Sequence, residues 1–182
     1  MTGQIGDSVL FEGNRHEIAA IEGKGLFDPH QYEMATYSTC TACWRGFVVE
    51  YLCTNTQLLL KRLDINTRNP IILNGVSPGP GGHYCHYSYD DVNLPVPFTG
   101  KLLIAKDFIH SRYVHMGFQA PESYECVKEL QIENGLVVGI TDKPEEMRDR
   151  REDRHPSGSR SGDSKGDLAD WIMGRFSREY PD

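Results

Sequence analysis

SYECVKELQIENGLVVGIT, Ser123 to Thr141, reads as two strands joined by a two-residue turn. Tyr124, Cys126, Leu130 and Ile132 fall at even spacing, which places them on one face of an extended chain, and a second branched run follows from Leu136 to Ile140. Between the runs, Asn134-Gly135 supplies the residues that most readily take the positive φ values of a tight hairpin turn. Side chains here are sorted at a period of two.

The same pattern recurs upstream. SVLFEGNRHEIAAIEG sets Gly13-Asn14 between two apolar stretches, and WRGFVVEYLCTNTQLLLKRLDI has two longer aromatic and branched runs around Thr54-Asn55-Thr56. TGKLLIA and RYVHMGF read as further short strands. No alternation of strands with helical patterns and no long amphipathic helix occurs before residue 140, which argues against a parallel sheet. The expected fold is mainly β, a single antiparallel β-barrel or sandwich over residues 1–147.

Two segments interrupt the strands. Asn74 to Phe98, NGVSPGPGGHYCHYSYDDVNLPVPF, is rich in proline and glycine and is expected as a long ordered loop, the kind of segment that carries function. TDKPEEM places Pro144 near a first helical position with Glu145 and Glu146 in the first turn, so a short helix is expected near residues 144–152. The stretch 148–167 has almost no apolar side chain and is expected as a flexible polar linker. Beyond it, Leu168, Trp171, Ile172 and Phe176 form one helical stripe within 168–180. Such a short amphipathic helix is marginal alone. It must dock on its own domain, on a second copy, or in a partner's groove.

The chain has 182 residues, a formal net charge of −7, 25% charged and 38% hydrophobic residues, which is the composition of a globular protein. No apolar run approaches the roughly 20 residues of a membrane-spanning helix. MTGQIGDSVLFEG carries neither a basic leader nor an apolar core, so a cytoplasmic location is expected, with its five cysteines reduced. The acidic balance disfavours nucleic acid and favours a basic protein, a peptide or a small cation.

Cys40 and Cys43 have the spacing that lets two thiolates reach one zinc ion, with Cys85 and His83 as further ligands. In an extended segment His83 and Cys85 would share a side and His86 would face away. No cofactor is otherwise implied. A thioredoxin-like pair would need a helix after the cysteines, and WRGFVVEYL reads as a strand. The alternative is that the thiols pack as small apolar residues. A lone nucleophile, Cys43 or Cys85 with His83, His86, His110 or His115 as base, would make the protein an enzyme, Cys43, Cys85 and His115 being its candidate catalytic residues. Trp44, Tyr51, His83, His86, Tyr113 and His115 are the candidate ligand-binding residues, since Tyr113 and His115 would share one side of a strand and could face a pocket. The same aromatics could equally be core. Signatures of serine hydrolases, dinucleotide-binding domains, phosphate-binding loops and HExxH metalloproteases do not occur.

Two functional expectations follow. The first is a cytoplasmic acidic β domain that recognises a protein partner, a basic toxin to be neutralised being one that fits the charge. The alternative is an enzyme or small-ligand-binding protein whose Cys/His pocket is formed by the 74–98 loop with the Cys43 and His115 regions.

Overall fold

The computed structural model describes residues 3–153 together with Arg178 and Tyr180. The remainder of the polar segment to residue 167, and the stripe of Leu168, Trp171, Ile172 and Phe176, lie outside the described residues.

Ten strands make one sheet: β1 (Ser8–Phe11), β2 (Asn14–Lys24), β3 (Phe47–Cys53), β4 (Leu58–Ile65), β5 (Gly79–Pro80), β6 (Tyr87–Tyr89), β7 (Leu94–Pro95), β8 (Thr99–Phe108), β9 (Tyr124–Glu133) and β10 (Leu136–Asp142). They are ordered β10-β9-β8-β2-β1-β3-β4-β6-β5, with β7 on the same edge of β4 as β6. The mainly β expectation holds, and the sheet curls without closing. Its two hairpin tips meet where the Leu58 amide donates to the Gly135 carbonyl at 2.8 Å and the Val137 amide to the Thr56 carbonyl at 3.1 Å.

One pairing departs from the antiparallel expectation. β1 lies parallel to β3, with Val9 opposite Tyr51, while every other pairing between named strands is antiparallel. A parallel neighbour needs a connection long enough to return to the starting edge, not a helix. Here β2 and the 25–46 segment make that return.

The turns are largely where composition places them. Asn134-Gly135 joins β9 to β10 with both φ values positive. The first hairpin turns one residue earlier than Gly13-Asn14, at Glu12-Gly13, because Phe11 pairs with Asn14. The 74–98 segment is ordered and contains β5, β6 and β7. RYVHMGF is not a strand: Phe108 already pairs with Tyr124, so residues 109–123 form the connection between β8 and β9, and the stretch makes only a single parallel bridge, Gly117 with Gly3.

Two apolar clusters flank the sheet. The inner one gathers Val49, Tyr51, Leu60, Leu63, Phe98 and Leu102, all at most 1% exposed, with Leu130 and Ile132 from β9. Tyr124 does not share their cluster. It joins Ala20, Leu103, Ala105 and Val127 in the second, and Cys126 is exposed.

That second cluster is capped by helix α1, Pro144–Asp153, which inserts Met147 at 0% exposure. Burying one methionine contributes about 2 kcal/mol. The rest of α1 is charged and is held by polar contacts: Lys143, just before it, reaches Glu129 at 3.4 Å and Glu146 at 3.1 Å, and the Arg151 guanidinium donates to the Glu122 carbonyl at 3.1 Å. Residues 148–153 are thus the second half of a helix. Among the described residues no helix is long and apolar enough to cross a membrane.

Candidate functional site

Two places gather chemistry-bearing side chains. The first is an open groove where β2, β8 and β9 meet the 109–123 connection. Glu17, Phe108 and Tyr124 lie where two adjoining concavities, of about 480 and 310 Å³, run together. The larger extends past Arg15, Lys106 and Asp107, and the smaller past Gln4, Tyr113 and Gln119.

The groove is positioned from both sides. Phe108 stands edge-on to Tyr124 at 5.2 Å and to Tyr113 at 6.3 Å between ring centres. Tyr124 Oη donates to Glu17 Oε2 at 3.3 Å, and burial followed by this carboxylate pushes the phenol well above its ordinary pKa. Gln119 pins the connection, accepting from the Val114 amide at 3.0 Å and donating to the Val114 carbonyl at 2.8 Å. Gln4 ties the groove to the cysteine turn through the Thr41 carbonyl at 2.8 Å and the Trp44 amide at 3.3 Å.

The second place is a knot around the thiols. Residues 40–46 form consecutive turns, the Cys43 amide donating to the Cys40 carbonyl at 3.3 Å and the Gly46 amide to the Cys43 carbonyl at 3.1 Å. Asn66, fully buried just past β4, ties this turn region to the 84–86 loop. Its Nδ2 donates to Thr39 Oγ1 at 3.1 Å and the Tyr84 carbonyl at 2.8 Å and lies 3.8 Å from Cys85 Sγ, while its Oδ1 accepts from the His86 amide at 2.9 Å. Tyr37 Oη and His86 Nδ1, 2.9 Å apart, close the outer side.

Cys43 and Cys85 are brought together here, 2% and 7% exposed. A hydrogen bond from Cys85, helped by Arg45 and the Gly46 amide against the cost of burial, lowers Cys43 to about 7. Cys85 moves the other way, raised by its neighbour Cys43 and by burial, and Cys43 Sγ lies 3.6 Å from the Phe47 carbonyl to which it donates as a thiol.

The remaining candidates scatter. His83 and His86 are exposed while Cys85 points inward, because residues 83–86 bend and the alternation of an extended segment does not apply. Among the described residues no three His, Cys, Asp or Glu side chains are arranged to hold a metal ion. Tyr51 is core, its hydroxyl accepting from the Phe27 amide at 3.2 Å. Trp44 is 53% exposed, and Tyr113 is 46% exposed with His115 edge-on at 4.8 Å. These rings do not converge on a single pocket with Tyr51, and of them only Tyr113 lines the groove. Cys40, half-buried, sits close enough to Cys85 to act on its charge.

Sequence reasoning missed Glu17, Phe108 and Tyr124 as a group. Glu17 sits in an ordinary alternating strand, and only the β2–β8–β9 register brings it beside residues about 90 and 107 positions on. It also missed Asp7, buried at 2% exposure and paired with Arg45 at 2.7 Å and Arg178 at 2.9 Å. Comparison with protein-family models, curated proteins and solved structures finds no match for this chain.

Proposed function

We propose that the chain is a binding protein that takes a basic side chain of a protein partner, an arginine or a lysine, in the groove between Glu17, Phe108 and Tyr113. The observation that carries the reading is the smaller concavity, in which Glu17 is the one charged lining residue, set among three aromatic rings and two amide side chains. A carboxylate beside aromatic faces attracts a cation twice, through charge and through the ring quadrupoles. Glu17 is already oriented by Tyr124, so it spends little freedom on engaging a partner. The groove is open, which suits a side chain presented by another protein better than a sequestered metabolite. The overall charge of −7 would speed the encounter with a basic surface.

The test is fluorescence-polarisation titration of an arginine-rich and a lysine-rich peptide, with an acidic peptide as control. Wild type should bind the basic peptides, with affinity falling as salt rises. Glu17→Gln and Tyr113→Ala should each weaken binding about tenfold, the worth of one desolvated charge or cation–π contact. Binding that is unchanged in both variants, or no binding by wild type, rejects the reading.

A further inference from the structure

The thiol knot supports an inference independent of the groove. We propose that Cys43 and Cys85 form a reversible dithiol–disulfide site whose oxidant is a hydroperoxide. Each thiol belongs to a different loop, and the two loops are held face to face by Asn66, which hydrogen-bonds Thr39 on one side and Tyr84 and His86 on the other. Each loop is also folded tightly on itself at a glycine. A Cβ on Gly81 would meet the Cys85 carbonyl oxygen at 2.1 Å, and one on Gly46 would meet the Tyr37 carbonyl oxygen at 2.4 Å. Cys43 is flanked by Arg45, whose guanidinium favours the thiolate, and Cys85 is the adjacent thiol able to resolve an oxidised sulfur.

This pairing is not the one the two-residue spacing of Cys40 and Cys43 suggests. Cys43 and Cys85 are almost fully buried, which disfavours the in-line approach of a bulky disulfide and leaves the smallest oxidants as the fitting class. Hydrogen peroxide meets that limit. The Cys43 thiolate attacks one peroxide oxygen, the O–O bond breaks, and the departing hydroxide takes a proton to leave as water, giving a sulfenic acid at Cys43. The Cys85 sulfur then attacks the Cys43 sulfur, the S–O bond breaks, and hydroxide leaves with the Cys85 proton as a second water. Two thiols and one peroxide become one disulfide and two waters, the sulfurs losing the two electrons that the peroxide gains. A small dithiol reductant returns the pair to two thiols: one of its sulfurs attacks the disulfide, its second sulfur displaces the first, and it leaves as its own cyclic disulfide, having given up the two electrons and two protons.

The experiment treats the full chain with equimolar hydrogen peroxide, labels remaining thiols with an alkylating reagent under denaturing conditions, and maps the digest by mass spectrometry. Wild type should yield a Cys43–Cys85 linked peptide, lose the label at those two positions, keep it at Cys40 and Cys53, and regain both labels after dithiothreitol. Cys85→Ser should instead leave Cys43 as a sulfenic acid that dimedone captures, and Cys43→Ser should leave Cys85 labelled as in untreated protein. A Cys40–Cys43 link, full labelling of wild type after peroxide, or irreversible Cys43 oxidation with Cys85 still free overturns the proposal. Wild-type mapping decides it even if a variant does not fold.

Discussion

Arg178 Nη2 donates to Asp7 Oδ2 at 2.9 Å across 171 positions of sequence, and the two side chains are 9% and 3% exposed. Asp7 also accepts two bonds from Arg45, at 2.7 and 2.9 Å, and one from the Val49 amide at 2.9 Å. The Ile21 amide donates to the Arg178 carbonyl at 2.7 Å, and the Arg178 guanidinium lies 4.7 Å from the Phe118 ring centre. One carboxylate therefore joins the start of β1, the cysteine turn and Arg178. Removing one member of a buried charge network leaves the others uncompensated, which costs about 3–5 kcal/mol. Asp7→Asn should lose that much in urea unfolding. Arg178→Met, which leaves Asp7 paired with Arg45, should lose clearly less. Equal losses would show that the two arginines are not alternative partners of one carboxylate.

Acid should act in two stages. Burial lowers the His16 pKa below its ordinary 6.5, only partly opposed by the Asn14 carbonyl, and Nε2 has no hydrogen-bond partner. The unfolded chain then binds the imidazole proton more readily than the folded one, so stability falls as pH drops below about 6.5. Burial would by itself raise the Asp7 pKa, but Arg45 and Arg178 overturn it and hold the carboxyl at about 2, against an ordinary 3.8. Its stabilisation is complete above about pH 4 and is lost as pH falls toward 2, a change of about 2 kcal/mol. Thermal unfolding across pH should show both stages in wild type, and His16→Phe should flatten the first while keeping the second. Parallel curves for the two proteins would clear His16 of the first stage.

Gly23 and Gly100 face one another in the β2–β8 pairing with φ of 127° and 148°. A Cβ on Gly100 would lie 1.9 Å from the Glu22 carbonyl oxygen, and one on Gly23 would lie 2.2 Å from the Thr99 carbonyl oxygen. Gly13 also has positive φ, at 74°, but nothing lies within 4 Å of its would-be Cβ. Gly100→Ala should therefore destabilise by about 3 kcal/mol or more through backbone displacement, and Gly13→Ala by about 1 kcal/mol of conformational strain. Chemical unfolding of the two variants measures the difference, and similar losses would mean that β2 and β8 separate without cost at this point.

The strands around Asn134-Gly135 were legible because local rules settle them: a period of two on either side, and a turn that two positive φ values complete. The parallel partner of β1 was not legible, since register between Ser8–Phe11 and Glu50–Cys53 depends on where a long return path ends. The thiols show the same division. Their residue types pointed to chemistry, yet the nearer neighbour in sequence, Cys40, drew the reading away from Cys85, whose proximity to Cys43 depends on a buried asparagine at the end of β4. A single Asn66 after an apolar run carries no local sign of that role. Glu17 and Tyr124, hydrogen-bonded across 107 positions, were invisible for the same reason.

Oxidation should also change stability in a way that identifies which sulfurs are joined. A bond between Cys43 and Cys85 closes a loop of about 42 residues and, on the chain-entropy account, destabilises the unfolded state by about 4 kcal/mol. A bond between Cys40 and Cys43 closes a loop of about three residues, for which the same relation gives under about 2 kcal/mol. Peroxide-treated protein should unfold at distinctly higher urea than reduced protein, with the gain abolished by dithiothreitol and absent in Cys85→Ser. Asn66→Ala frees the clamp between the loops and should slow crosslinking at Cys43 even where the variant remains folded by circular dichroism. Oxidised protein less stable than reduced would mean that the knot must distort to bring the sulfurs within bonding distance, against the preorganisation that Asn66, Gly46 and Gly81 provide.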